Sequence, residues 1–225
     1  MFSLPILITI YAGFTHAFEA DHLLAVSSIV SGRSNNQLAM KDGIYWGLGH
    51  TSTTIFIGIL MIIFKIGIPV VYFNYFEAMV GVMLSGLAIH RIVKFYLSRK
   101  SELQIHLHPH NHIPHQHVNL PLENGKGKHP HSLAYQVGLM HGLAGSGALV
   151  ILALSKMNGP VDGLTYLIIF GLGCIGGMML ASTLFNIPFS KKMMESRSLQ
   201  NFLIIMSSML CLLYGGKLIY ENLFM

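Results

Sequence analysis

Charge is what this sequence has least of. Asp, Glu, Lys and Arg make up 10% of its 225 residues, against about a quarter in a soluble domain. That shortfall excludes an ordinary water-facing surface. With 52% hydrophobic residues, a lipid bilayer is the expected solvent. Cysteine is nearly absent. Cys174 and Cys211 both sit inside apolar runs, which excludes a disulfide framework and a CxxC redox pair. No P-loop pattern occurs, so no ATP site is expected. The first residues lack a basic n-region and an A-x-A cleavage site, and the apolar run from Leu4 to about Ser31 is too long for a signal peptide. It reads as a retained transmembrane helix.

Six segments meet the length of about 20 mostly apolar residues that a spanning helix needs. They are Leu4–Ser31, Gly43–Ile68, Val70–Leu97, Leu133–Lys156, Val161–Phe189 and Leu199–Tyr220. Gly67-Ile68-Pro69 predicts a tight turn between the second and third. The one long polar stretch, Ser98 to Ser132, carries eight of the 13 histidines: His106, His108, His110, His112, His115, His117, His129 and His131. Four prolines there oppose a regular helix, so a biased loop is expected. Residues 1–98 and 133–225 then form two three-helix units joined by a loop over 99–132.

The basic residues fix an expected topology. Arg33, Lys41, Arg91, Lys94, Arg99, Lys100, Lys126, Lys128, Lys191, Lys192 and Arg197 fall on one side, and Lys65, Lys156 and Lys217 on the other. The positive-inside rule makes the first side cytoplasmic. Both termini are then outside and the His-rich loop inside. The formal charge of +5 is explained without nucleic acid.

An internal repeat supports the division. Gly13-Phe-Thr-His16 matches Gly138-Leu-Met-His141, Gly47-Leu-Gly-His50 matches Gly171-Leu-Gly-Cys174, and Met83-Leu-Ser matches Met209-Leu-Cys, all at offsets of 124–126 residues. Three helices per half is an odd number, so the halves must be inverted. The expected fold class is an all-α polytopic membrane protein of six helices in two inverted repeats. That is a transporter architecture with its site near the midplane.

The chemistry concentrates in the first segment. His16, Glu19, Asp21 and His22 lie within seven positions, although a charged residue at mid-membrane costs roughly 2.5–3.5 kcal/mol. Such a cluster needs partners or a ligand. Imidazole and carboxylate suit first-row metals, and thiolate is nearly missing, which favours nickel, cobalt or zinc over copper(I). At about 100° per residue, Glu19 lies about 60° and His22 about 120° to one side of His16, with Asp21 about 140° to the other. A regular helix cannot aim His16, Asp21 and His22 at one point. Either the helix is distorted near Glu19–Ala20, or Asp21 orients an imidazole without ligating. The distortion is the favoured of the two.

His50 is the next candidate ligand, set in a small, polar Gly49-His50-Thr51-Ser52-Thr53-Thr54 run. His141 is another. Its glycine-dense Gly138–Gly147 surroundings suggest either a discontinuous segment or a close helix crossing. His90 precedes Arg91 and reads as interfacial. The alternating histidines of the loop suit metal buffering or delivery, because a mobile segment cannot impose one coordination geometry.

His16-Ala-Phe-Glu-Ala-Asp21-His22 resembles the H-x4-D-H signature of the nickel/cobalt permease family, and Leu48-Gly-His50-Thr-Ser-Thr resembles that family's L-G-H-[ST] motif. The segment Gly142-Leu-Ala-Gly-Ser-Gly147 looks more like the urease-accessory transmembrane branch of that superfamily. The resemblance implies a permease moving nickel or cobalt, with His16, Asp21, His22 and His50 handling the ion. This chain departs from the pattern in having six expected helices rather than eight. It also lacks acidic residues in Gly171-Leu-Gly-Cys174-Ile-Gly-Gly.

The sequence therefore leads to a non-enzymatic carrier of divalent metal, nickel before cobalt, running as uptake. Its metal residues would be His16, Asp21, His22, His50, Glu19 and His141, the ion being substrate rather than cofactor. A cytoplasmic metal chaperone or a urease/hydrogenase maturation factor would receive it. The rival readings are efflux by the same fold, a metal-buffering accessory protein that does not transport, and a membrane redox carrier using Cys174 and Cys211.

Overall fold

The computed structural model describes residues 3–30, 33, 35–102, 131–156, 159–187 and 197–225. All regular structure among them is helical: α1 (Ser3–His16), α2 (Ala20–Val30), α3 (Asn36–Gly58), α4 (Val70–Glu102), α5 (Ser132–Lys156), α6 (Pro160–Asn186) and α7 (Arg197–Phe224). Seven of the eight loop histidines, His106 to His129, lie outside the described residues.

Four stretches among the described residues are long and apolar enough to cross a membrane: Asn36–Ile63, Val71–Leu97, Pro160–Asn186 and Asn201–Phe224. Their outer faces are apolar, with Val82, Leu172 and Leu213 each at least 59% exposed. So much bare hydrocarbon would be an aggregation surface in water and is a normal one in lipid. The protein is a multi-pass membrane protein.

Local sequence explains most helix limits. Asn35 caps α3, its side chain accepting from the Gln37 amide at 2.9 Å. Pro160 opens α6 at the first position, where a missing N–H costs nothing. The tight turn expected at Gly67-Ile68-Pro69 is longer than that. A π-helical turn over Ile59–Ile63 follows α3, and the chain stays non-helical from Phe64 to Pro69. Lys65 there adopts φ 53°, a left-handed conformation unusual for a side chain of its length.

The first expected span differs most. It is interrupted between His16 and Ala20, beside the Glu19–Ala20 position that helix geometry had pointed to. The glycines around His141 do not break α5, which runs unbroken; they let α5 and α3 touch backbone to backbone. A Cβ on Gly138 would overlap the Trp46 carbonyl, and one on Gly142 the His50 carbonyl. The crossing is therefore the close-packed kind that small residues permit.

These crossings come in exchanged pairs. Gly13 of α1 meets the Phe170 carbonyl of α6, and Gly138 of α5 meets the Trp46 carbonyl of α3. Gly49 of α3 meets the Tyr135 carbonyl of α5, and Gly173 of α6 meets the Ile10 carbonyl of α1. Each contact turns into its partner under the sequence offset of about 124 residues. Trp46, Val26, Val30, Leu84 and Met178 fill the core beside these crossings.

Candidate metal centre

The interruption of the first apolar segment builds the centre. His16 is the last residue of α1, and the Phe18 and Glu19 amides bond back to the Thr15 and His16 carbonyls. The Leu23 amide then bonds to the Glu19 carbonyl and starts α2. Asp21 falls in the first turn of α2, where the helix dipole favours a carboxylate. Phe18 packs against Phe14 with ring centroids 5.3 Å apart, and Ala17 is fully buried beside Gly177 of α6. Packing holds the chain out of helix where neither glycine nor proline is present.

Four imidazoles converge there from four helices. Ring centroids are 4.8 Å apart for His16 and His22, 4.8 Å for His22 and His141, 5.3 Å for His16 and His50, and 5.5 Å for His22 and His50. His22, His50 and His141 are at most 1% exposed. Trp46 flanks them, 5.5 Å from His22 and 5.8 Å from His141.

Hydrogen bonds assign the tautomers. His16 Nδ1 lies 2.8 Å from Glu19 Oε1, and His22 Nδ1 lies 3.0 Å from Asp21 Oδ1. His141 Nδ1 lies 3.2 Å from the Val137 carbonyl. Ionised carboxylates and carbonyls only accept, so in the neutral imidazole each Nδ1 is the donor and each Nε2 keeps a lone pair. All three Nε2 atoms, and both ring nitrogens of His50, are buried with no hydrogen-bond partner among the described residues. An orphaned buried polar atom costs about 1–3 kcal/mol. Several in one place make a donor set that a cation would satisfy.

Two overlapping triads could hold a metal ion. His16, His22 and His50 form one, and Asp21, His22 and His141 the other, with the donor atoms of each within 4.8 Å of one another. His141 Nε2 stands 3.8 Å from Asp21 Oδ2. Two acceptors that close call for a cation between them or a proton on the ring. Asp21 can therefore orient His22 with one oxygen and offer the other as a ligand. Both roles left open by the helix geometry fit.

The remaining candidates divide. Glu19 is 57% exposed and touches the centre through His16. The hydroxyls after His50 bond to helix carbonyls and face no imidazole: Ser52, Thr53 and Thr54 bond to those of Leu48, Gly49 and His50, and Thr51 bonds across to Gly171. His90 is exposed. His131, counted with the loop, is instead anchored. Its Nδ1 donates to Asp42 Oδ1 at 2.7 Å, and its ring stacks on Tyr45 at 5.0 Å. Asp42, 1% exposed, also holds Arg33 through two hydrogen bonds. Cys174 and Cys211 are free, buried thiols.

Sequence reasoning missed Glu77. A cavity of about 370 Å³ adjoins the histidines, and Glu77 of α4 and Tyr214 of α7 line it together with His16, Glu19, Asp21 and His22. The signal was available, since Glu77 is an ionisable residue inside an apolar segment.

No family model matches the chain, and no solved structure does. A curated relative does. Over 209 residues, 93% of this chain and 87% of the relative, the chain is 34% identical to the urease accessory protein UreH of Bacillus sp. (strain TB-90).

Proposed function

The chain belongs to the family of the urease accessory protein UreH, and from that premise we propose that it carries a divalent transition metal ion into the cell, nickel first and cobalt second. One observation carries the proposal: four imidazoles from α1, α2, α3 and α5, three of them on buried residues, converge with their Nε2 atoms buried and unpartnered among the described residues. Imidazole with a single carboxylate suits nickel and cobalt better than the soft copper(I) ion. The likeness of His16–His22 to the nickel/cobalt permease signature points the same way.

In this reading α1 and α2 together make one broken span, and the protein has six spans in two inverted units, 1–98 and 133–225. The exchanged glycine contacts support that symmetry. The excess of Lys and Arg on one side supports termini outside and the 99–132 loop inside. The ion exchanges its water for the Nε2 atoms of His16, His22 and His50. Glu19 and Asp21 fix the tautomers that keep those lone pairs available. His141 and Asp21 form the second triad, and His22, common to both, lets the ion pass from one to the other without full release. The cytoplasmic histidines then receive it for a metal chaperone or urease maturation factor.

Nickel accumulation in cells expressing wild type or His16→Ala tests the proposal. Wild type should accumulate nickel above an empty-vector control, and the variant should not. Equal accumulation removes His16 from the mechanism. Growth under nickel stress separates uptake, which sensitises cells, from efflux, which protects them.

A further inference from the structure

The cavity beside the histidines has a far wall that the metal triads do not use. Glu77 and Val80 of α4 and Tyr214 and Leu218 of α7 form it. Among the described residues three carboxylates, Glu19, Asp21 and Glu77, line the cavity, and no Lys or Arg does. Lys217, the nearby cation on α7, lies 5.8 Å from the Tyr214 ring and 3.7 Å from Glu221, which balances its charge. Acidic residues alone would not make a site. His22, however, lines the same cavity, is 1% exposed, and has its Nε2 buried with no partner among the described residues. The acidic space ends on a buried imidazole nitrogen that no described residue partners.

Placement gives the space a direction. Glu77 is exposed and stands seven residues into α4, about 10 Å along the helix at 1.5 Å per residue. In the topology supported above, α4 starts at the outer face. Glu77 then lies between the outer water and the histidines.

We propose that this cavity is an acidic vestibule that gathers the hydrated divalent cation and delivers it to the histidine cluster, with Glu77 as its outer carboxylate. The proposal rests on the metal-transport reading and deepens it. A cleft lined by charge of one sign, with low-dielectric walls, concentrates counter-ions and speeds their capture. It does so less as salt rises. Glu77 is thus a positioning residue for a step before ligation. It sets how fast the ion arrives and not how tightly the imidazoles hold it.

The chain supplies its own reporter. Trp46 is the one tryptophan and lies against His22 and His141, so nickel at the cluster should quench it. Stopped-flow quenching of the purified full chain in detergent, with nickel chloride in large excess over the loop histidines, reads the association rate. Glu77→Gln should slow association about three- to tenfold, flatten its dependence on ionic strength, and leave the final quench at its wild-type level. Glu77→Asp should restore most of the rate. A wild-type rate and salt dependence in Glu77→Gln overturns the vestibule alone, provided the quench still requires His22. No quench in wild type, or a quench that survives His22→Ala, overturns the metal site and the vestibule with it. If Glu77→Gln does not fold, the wild-type rate decides. Independence of salt between about 20 and 300 mM overturns the proposal, and a steep fall supports it.

Discussion

His22 Nδ1 donates to the carboxylate of its own chain neighbour, Asp21, at 3.0 Å, and that bond leaves His22 Nε2 as the only ring nitrogen with a lone pair. The two residues therefore have unequal parts. In the proposed site His22 belongs to both triads, whereas Asp21 would act first through His22 and second through its other oxygen. His22→Ala should abolish nickel quenching of Trp46. Asp21→Asn should keep the quench but weaken affinity about 10- to 100-fold, the usual cost of losing an orienting carboxylate. Equal losses in the two variants would remove the distinction.

Acid should work against the ion. A protonated imidazole has no lone pair on either nitrogen, so nickel and protons compete for the same Nε2 atoms. Affinity should rise with pH and fall on acidification, becoming at least tenfold weaker at about pH 5 than at about pH 7.5. Titration of Trp46 quenching across that range checks the sign. A flat profile would argue for ligands other than imidazole.

The close crossing of α3 and α5 sets the distance between His50 and His141. Gly138 has no room for a side chain against the Trp46 carbonyl. Backbone cannot move aside as a flexible side chain would. Gly138→Val should therefore cost at least the 1–3 kcal/mol typical of overpacking. The expected result is a lower melting temperature in detergent and a lost nickel quench. Gly176, which meets nothing within 4 Å, is the control, and Gly176→Ala should leave both unchanged.

The loop can be separated from its anchor. His131 belongs with Asp42 and Arg33 at the start of α5 rather than with the other loop histidines. Deleting residues 105–130 while keeping His131 should spare nickel uptake by a permease and abolish the activity of a mere buffer. Asp42→Ala should instead destabilise the protein, because breaking a buried ion pair costs about 3–5 kcal/mol. Thermal unfolding of the two variants tells these effects apart.

Much of this was legible in the sequence because bilayer physics is severe. Scarce charge and long apolar runs indicate spans, and ionisable residues inside them mark the candidate site. The break after His16 was legible only through angles, since His16, Asp21 and His22 cannot face one way on a regular helix. Local composition does not give it. Residues 17–19 contain no helix breaker, and the tertiary fit of Phe14 and Ala17 on α6 holds them out of helix. The same limit hid the continuity of α5. Its glycines could mean a broken segment or a tight crossing, and only the facing carbonyls of α3 distinguish the two. Glu77 and Asp42 carry no motif. Their importance comes from neighbours far along the chain, the α1–α2 break for Glu77 and His131 for Asp42.

The most direct test is nickel flux into vesicles of defined orientation carrying wild type or His22→Ala, with cobalt and zinc as competitors. The expected result is inward flux from the face bearing the termini, competed best by cobalt and absent in His22→Ala. Undiminished flux through His22→Ala would contradict it.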